Sequence, residues 1–161
     1  MKKLLILTFL FFSSFYGFSQ HRLFRYYNSR IEKYYYTTDQ SEFGGGREGW
    51  QLEGSACLVY TAEYRQGGVV PLFRYYNPNT KDFLYTTKAS VAGNSSKGYS
   101  LQKAACYVYN YRARGAMPLL RYFNRKTGTH FYTIDRDEMS SGRFNGFQYE
   151  GNSGYVFPNE N

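Results

Sequence analysis

The sequence predicts an all-β fold built from three similar units, and three observations support that prediction. A six-residue segment rich in aromatic residues, with an arginine inside it and an asparagine at its end, occurs at positions 23–28, 72–77 and 119–124. A Tyr-Thr segment, a glycine followed by an aromatic residue, and an apolar run follow each copy in the same order. Successive arginines are 49 and 47 residues apart, at Arg25, Arg74 and Arg121. A period of this length is typical of a repeat architecture.

Each unit is expected to begin with a β-hairpin. The first segment is rich in aromatic residues, which favour strands, and it ends at Asn28, Asn77 or Asn124. Asparagine side chains readily start turns. A threonine follows each asparagine after nine residues, and this spacing predicts two short strands joined by a loop of about four or five residues.

The remainder of each unit predicts a polar connector followed by two more strands. The connectors cover residues 39–48, 88–97 and 135–145. Their polar residues and glycines allow a single helical turn at most, for which residues 135–139 are the best candidate. In the first unit the further strands are centred on Trp50 and Val59. The prediction is therefore four short strands in each of three repeats, 22–70, 71–117 and 118–158.

The three repeats are expected to close into one domain over residues 20–161. Closure removes the exposed sheet edges that make β-proteins aggregate. The predicted architecture is therefore a closed pseudo-threefold array of four-stranded units, resembling a three-bladed propeller. A β-trefoil, which also has three four-stranded units, is the alternative.

Residues 1–19 are predicted to be a secretory signal peptide. Lys2 and Lys3 precede a short apolar run, and small residues, Gly17 and Ser19, precede the expected cleavage site before Gln20. The run is too short for a membrane span, so we expect a secreted protein, extracellular or periplasmic. Without the two lysines the formal charge falls from +8 to +6. The basic residues are scattered singly, and the sequence does not indicate a nucleic-acid partner.

The chain has two cysteines, Cys57 and Cys106, at matching places in the first two repeats. An even number of cysteines in an exported protein favours a disulfide. Equivalent positions of units arranged around one axis approach one another, so a bridge between the repeats is geometrically feasible. The sequence therefore predicts a Cys57–Cys106 disulfide, with two buried free thiols as the alternative.

The motifs resemble a family of secreted repeat domains of unassigned function. The residues that carry the resemblance are the Arg-Tyr-Tyr-Asn segments, the His-Phe-Tyr-Thr segment at 130–133 and the later Gly-aromatic and Glu-Gly pairs. Domains of that family often accompany secreted hydrolases. The resemblance implies an exported, noncatalytic accessory module, with glycan binding as one implied function. The chain departs from the pattern because Tyr34 and Phe83 replace the histidine in the first two copies.

No catalytic set is recognisable in the sequence. His130 stands where the other copies have Tyr34 and Phe83, which favours a packing position over a catalytic base. Glu53 and Glu150 could pair as glycosidase carboxylates, but they occupy equivalent positions of separate repeats. No spacing of metal ligands occurs. We therefore expect no enzyme activity, no metal and no cofactor.

The predicted function is binding of a glycan, or of another cell-surface or extracellular polymer. Aromatic planes, guanidinium groups and amides recur in every copy, and three weak sites would give avidity on a polymer. The alternative is a structural or protein-interaction domain whose arginines stack on rings and lock one repeat to the next. The candidate ligand-binding residues are Arg25, Asn28, Trp50, Arg74, Asn77, Tyr99, Arg121, Asn124, His130 and Phe147.

Overall fold

The computed structural model describes residues 20–61, 67–89 and 98–159, and within them the protein is all-β. The predicted signal peptide lies outside the described residues. The first unit contains β1 (His21–Asn28), β2 (Lys33–Thr37) and β3 (Trp50–Val59); the second contains β4 (Val69–Asn77), β5 (Asp82–Thr86) and β6 (Ser100–Tyr109); the third contains β7 (Met117–Asn124), β8 (Thr129–Thr133) and β9 (Phe147–Val156).

The first two strands of every unit form the predicted hairpin. Antiparallel pairing joins Asn28 to Lys33, and the same register recurs at the other two hairpins. The asparagine side chains hold the turns, since Oδ1 of Asn28 accepts from the backbone N–H of Arg30 at 3.1 Å and Oδ1 of Asn124 accepts from that of Lys126 at 3.0 Å. The four-residue loops and the turn role of the asparagines are therefore confirmed.

The third strand corrects the prediction of four strands per unit. The segments expected around Trp50 and Val59 are one continuous strand, β3, which pairs with β1. Register shifts interrupt that pairing between Leu23 and Phe24 and again between Arg25 and Tyr26. β6 and β9 have comparable irregularities against β4 and β7. A bulge bends a strand and increases its twist, so one long strand turns the corner that two short strands were expected to make.

The nine strands belong to two sheets in the described part of the chain. One has the order β2-β1-β3 and the other, which is curled, the order β5-β4-β6-β9-β7-β8. The units meet at the ends of their third strands, where Tyr109 pairs with Tyr155, Leu58 bridges to Phe157 and Tyr60 bridges to Tyr107. Short 3₁₀ turns occupy Gln40–Glu42, Asp137–Ser140 and Gly142–Phe144, and the second overlaps the segment predicted to form a helical turn.

Three tyrosines, one from each unit, meet in the core. Tyr36, Tyr85 and Tyr132 are almost fully buried, and each pair of their ring centroids is 5.4 Å apart. The Tyr85 hydroxyl accepts from the backbone N–H of Tyr36 at 2.8 Å. The Tyr36 hydroxyl accepts from that of Tyr132 at 2.8 Å, and the Tyr132 hydroxyl accepts from that of Tyr85 at 2.7 Å. Buried polar groups are costly unless they are hydrogen-bonded, and here each hydroxyl satisfies a strand backbone group of another unit.

The two cysteines are not bridged, which corrects the prediction of a disulfide. Cys57 and Cys106 are both buried free thiols. Burial raises the pKa of Cys57 to about 12, and burial together with the nearby Cys57 raises the pKa of Cys106 well above its usual value. The two thiols are close enough to affect each other, but the apolar surroundings stabilise the protonated form, which is not the nucleophile in disulfide chemistry.

Candidate functional site

Charged side chains of different units pair where the units meet, and we name each interface by its units: 1–2, 2–3 and 3–1. At the 3–1 interface, the guanidinium of Arg25 donates to both carboxylate oxygens of Glu138, at 3.1 and 2.7 Å. Its central carbon lies 4.9 Å from the centroid of the Phe131 ring. Nε of Arg25 is also 2.9 Å from Oε2 of Glu53, but its N–H does not point at that oxygen, so this contact is an ion pair without a hydrogen bond.

The 1–2 interface holds Arg74 in a comparable way. Its central carbon lies 4.5 Å from the centroid of the Tyr35 ring, Nη1 donates to the Tyr35 hydroxyl, and Nη1 is 3.8 Å from Oε2 of Glu42. Glu42 also accepts from Lys103 at 2.9 Å. Burial tends to raise the pKa of Glu42, but the hydrogen bonds from Tyr35 and Lys103 and the charge of Arg74 outweigh it and lower that pKa.

The 2–3 interface is different, because a histidine crosses it in place of an arginine. Nδ1 of His130 lies 2.5 Å from Oδ2 of the buried Asp82, and Nε2 lies 3.4 Å from Oε2 of Glu150. Arg121 pairs within its own unit, with Nε 3.0 Å from the same Glu150 oxygen. The hydroxyl of Tyr99 donates to Asp82 at 2.5 Å. Burial lowers the pKa of His130, but hydrogen bonds and charge from Asp82 and Glu150 dominate and raise it.

Each interface also contains a tilted pair of rings from one hairpin. The centroid distances and interplanar angles are nearly equal for the pairs Tyr27–Tyr34 (4.7 Å, 34°), Tyr76–Phe83 (4.8 Å, 34°) and Phe123–His130 (4.5 Å, 37°). Facing such a pair, Trp50 has its ring 6.1 Å from that of Phe83, and Tyr99 has its ring 6.2 Å from that of His130. Phe147 occupies the position in the third unit that matches Trp50 and Tyr99. Its ring centroid lies 6.0 Å from that of Phe131 and 5.9 Å from that of Phe144, both in its own unit.

A groove of about 260 Å³ lies at the 3–1 interface beside Phe147. We call it the 3–1 groove. Its aromatic residues are Tyr27, Tyr34 and Phe147, and its polar residues are Glu32, Asn124, Lys126, Thr127, Arg143 and Asn145. Six of these nine lining residues are polar, so the groove is more polar than the mostly apolar clefts that usually hold small molecules.

Arg143 is the charged residue most firmly held in this groove. Its central carbon lies 4.9 Å from the Tyr27 ring centroid and 5.8 Å from that of Tyr34, and Nη2 pairs with Glu53. Burial lowers the pKa of Arg143, but Glu53 and Tyr34 outweigh it and raise that pKa. About half of the side chain stays exposed, at 47%, so the guanidinium is oriented and still reaches solvent.

The structure places only two of the predicted ligand residues, Asn124 and Phe147, in the 3–1 groove. Trp50 is buried under Tyr35 and Phe43. The other predicted residues are buried or half-buried, and their side chains make the contacts within the protein that are described above. They are Arg25, Asn28, Arg74, Tyr99, Arg121 and His130. Asn77 is buried and its Oδ1 accepts from the backbone N–H of Asn79 at 3.0 Å.

Sequence reasoning missed Tyr27, Tyr34 and Arg143. Tyr27 and Tyr34 belong to the repeated motifs, so their aromatic character was visible, but the sequence does not show which aromatic residues face a cleft. Arg143 lies in a connector whose counterparts in the other units have different lengths and residues. It therefore gave no repeat signal, and only its contacts with unit 1 reveal its position.

Over the described residues these features define a class of protein: an aromatic-rich, all-β domain with a cleft between its first and last segments. The chain belongs to the family described as Domain of unknown function (DUF5648), whose model matches residues 22–157. A comparison with curated proteins and a comparison with solved structures each gave no match.

Residues 20–61, 67–89 and 98–159 contain no cluster of three or more His, Cys, Asp or Glu side chains arranged to hold a metal ion. In those same ranges, no helix has the length and hydropathy needed to cross a membrane.

Proposed function

We propose that this protein is an exported, noncatalytic carbohydrate-binding module whose ligand occupies the 3–1 groove. The observation that carries the proposal is the combination of Tyr27, Tyr34 and Phe147 with an oriented guanidinium, Arg143, in one cleft. A sugar ring has an apolar C–H face and a polar edge of hydroxyls. Aromatic rings match the first, and guanidinium donors match the second.

The proposal gives the 3–1 groove a different role from the other two interfaces. At the 1–2 interface, the larger ring of Trp50 reaches across to Phe83. At the 2–3 interface, the Tyr99 hydroxyl is engaged by Asp82. The smaller Phe147 leaves room beside the Tyr27–Tyr34 pair. We therefore favour one principal site over three equivalent ones, and avidity on a polymer then requires several copies of the domain.

The architecture we propose for this module is a closed, pseudo-threefold array of three-stranded units. Its support is the pairwise bridging of β3, β6 and β9, together with a second ring cluster beside those bridges. In that cluster the Tyr60–Tyr109, Tyr109–Phe157 and Tyr60–Phe157 centroid distances are 5.8, 6.0 and 6.2 Å. The propeller-like and trefoil forms both call for four strands per unit, whereas each unit has three in the described residues.

Export completes the proposal. A signal peptide over residues 1–19 would deliver the mature chain, beginning near Gln20, to the compartment where extracellular and cell-wall glycans occur. The resemblance to secreted repeat domains agrees with this placement.

A structural or protein-interaction domain is the second candidate function, and a specific observation favours it. Arg25 and Arg74 are engaged by carboxylates and rings of a neighbouring unit. Such contacts are expected if the repeated arginines only hold the units together. In that case the 3–1 groove would have no small-molecule ligand.

The test is retention of the purified mature protein on insoluble polysaccharides and on a glycan array, for the native chain and for Phe147→Trp. The larger indole is expected to fill the 3–1 groove, so binding should fall at least about tenfold, a loss of about 1.4 kcal/mol. Thermal unfolding should show that the variant is folded. Tyr149→Trp is the matched control, because Tyr149 is 52% exposed and does not line the groove.

Retention of the native protein on no glycan would reject the proposal and leave the structural alternative. Retention that Phe147→Trp leaves unchanged would reject the 3–1 groove as the site.

A further inference from the structure

His130 is a buried imidazole whose two ring nitrogens face carboxylates of different units. Only 8% of its side chain is exposed. Nδ1 lies 2.5 Å from Asp82 on β5 of the second unit, and Nε2 lies 3.4 Å from Glu150 on β9 of its own unit. Because imidazole titrates near neutral pH, the charge at this interface depends on one group that gains or loses a proton in that range.

The Asp82 side of the imidazole is closed and fully bonded. Oδ1 of Asp82 accepts from the backbone N–H of His130 at 2.9 Å, and Oδ2 accepts from the Tyr99 hydroxyl at 2.5 Å and faces Nδ1. Burial lowers the pKa of Lys33 on β2, and the nearby charge of Asp82 opposes that shift without outweighing it. Asp82 is 1% exposed. An acceptor in this position keeps the proton on Nδ1 in both charge states of the ring.

The Glu150 side is the open one. The Glu150 side chain is 34% exposed, and its Oε2 is shared between Nε2 of His130 and Nε of Arg121 on β7. The imidazole also packs against the rings of Phe123, Tyr99 and Tyr132. A proton that leaves the ring therefore leaves from Nε2, toward solvent.

We propose that His130 is a pH switch beside the 2–3 interface, in which the protonated ring links Asp82 of the second unit to Glu150 of the third. When Nε2 releases its proton to solvent, its lone pair faces the Glu150 carboxylate and that contact is lost. The Nδ1–H bond to Asp82 persists, and Glu150 keeps its ion pair with Arg121. Rising pH thus breaks the contact of His130 on β8 with Glu150 on β9 inside the third unit, and it removes the positive charge that faces Asp82 across the 2–3 interface.

The other two interfaces are held by groups that keep their charge. Arg25–Glu138 and Arg74–Glu42 join guanidinium groups, which stay protonated at any pH a folded protein meets, to carboxylates of a 3₁₀ turn in the preceding unit. The matching position of the second unit is Val91, which has no carboxyl group. The side-chain ion pair that crosses the 2–3 interface therefore involves the titratable His130, whereas those described at the other two interfaces involve an arginine.

The pKa shifts of His130 and Glu150 determine how stability changes with pH. The pKa of His130 is raised above its usual 6.5, so its contribution to stability is complete below about pH 6.5 and is lost as the pH rises through the folded-state value. The hydrogen bond from His130 is the first cause that lowers the pKa of Glu150, and it outweighs burial. The Glu150 contribution is therefore present above its usual pKa of 4.5 and is lost on acidification. The state in which protonated His130 contacts both Asp82 and Glu150 is therefore most stable between the usual pKa values of Glu150 (4.5) and His130 (6.5).

The experiment follows the imidazole nitrogens by ¹⁵N NMR of the intact mature protein from about pH 5 to about pH 9. We expect His130 to titrate above 6.5, to retain the proton on Nδ1 when neutral, and to titrate at lower pH in Glu150→Gln. His21 is the other histidine of the chain, and His21→Gln distinguishes its signals from those of His130.

Thermal unfolding supplies the second readout. The melting temperature of the native protein should fall across the His130 titration, whereas His130→Gln should flatten this dependence and His21→Gln should follow the native curve. Three results would each overturn the proposal: a His130 pKa at or below 6.5, protonation that persists throughout the range, or a neutral ring with its proton on Nε2. The experiment involves no glycan, so its outcome is independent of the binding proposal.

Discussion

At the level of single residues, the most informative group is the buried ring cluster of Tyr36, Tyr85 and Tyr132. The sequence aligns these tyrosines in the three Tyr-Thr segments, and the structure brings their centroids to 5.4 Å from one another. Their hydroxyls accept from strand N–H groups of other units. Phenylalanine would fill the same space, so the hydroxyls explain why tyrosine occupies this position.

Tyr36→Phe tests that explanation. It removes a hydroxyl that accepts from the N–H of Tyr132 at 2.8 Å and donates to its C=O at 2.9 Å. Leaving these buried groups unsatisfied should lower the free energy of unfolding by about 1–3 kcal/mol, measured by chemical denaturation. Tyr149→Phe, at an exposed position, should change it by less than about 0.5 kcal/mol. Equal effects of the two variants would contradict the role assigned to the hydroxyl.

At the level of single elements, the long third strand determines how each unit contributes to the core. β9 pairs with β7 through register shifts near Leu120 and Arg121, and it contains two glycines with positive φ, Gly151 at 126° and Gly154 at 119°. A Cβ on Gly151 would meet nothing within 4 Å, whereas one on Gly154 would overlap the Val108 side chain and lie 3.2 Å from the Tyr109 carbonyl oxygen. The two positions share a backbone conformation and differ in packing.

Gly151→Ala and Gly154→Ala should therefore separate backbone strain from steric overlap. Both variants should be destabilised by backbone strain of about 1–3 kcal/mol. Gly154→Ala should lose a further 1–3 kcal/mol or so, because β6 of the second unit has no room for the methyl group. Chemical denaturation of the two variants, with the native protein as reference, measures the difference. If Gly151→Ala were the more destabilised of the two, the close approach of β6 and β9 would be wrong.

At the level of the whole molecule, the cysteines report on how tightly the units are packed. Cys57 and Cys106 occupy the place that Gly154 has in the third unit, and both are buried free thiols. Burial raises their pKa values, to about 12 for Cys57. A reagent can reach a thiol in this position only when the units separate, and reaction also requires the thiolate.

A maleimide should therefore fail to modify the native protein at neutral pH, and it should modify both cysteines once the chain is unfolded in denaturant. Mass spectrometry counts the adducts. If the unfolded, unreduced chain took up no maleimide, the cysteines would be bridged, and the free thiols described here would be wrong. Rapid labelling of the folded chain would instead show that the units separate readily.

Much of this molecule can be read from its sequence, because local patterns determine local structure. The aromatic segment, the asparagine and the nine-residue spacing to the threonine predict the hairpins, since strand propensity and turn formation act over a few residues. The prediction of four strands was wrong because the segments centred on Trp50 and Val59 join through Gly54 into the single bulged strand β3. The disulfide prediction rested on the compartment and the repeat position, and neither reports the buried surroundings of the thiols.

By itself, the sequence established three related, aromatic-rich segments, the hairpin in each and the turn role of the asparagines. Only the tertiary structure determined what each repeated residue contacts. The reason is that the partners belong to other units: Arg25 and Glu138 are 113 residues apart, and His130 is 48 residues from Asp82. Side chains in equivalent positions therefore meet different neighbours. For that reason a groove forms beside Phe147, a buried tryptophan stands at the matching place in the first unit, and a titratable histidine crosses the 2–3 interface.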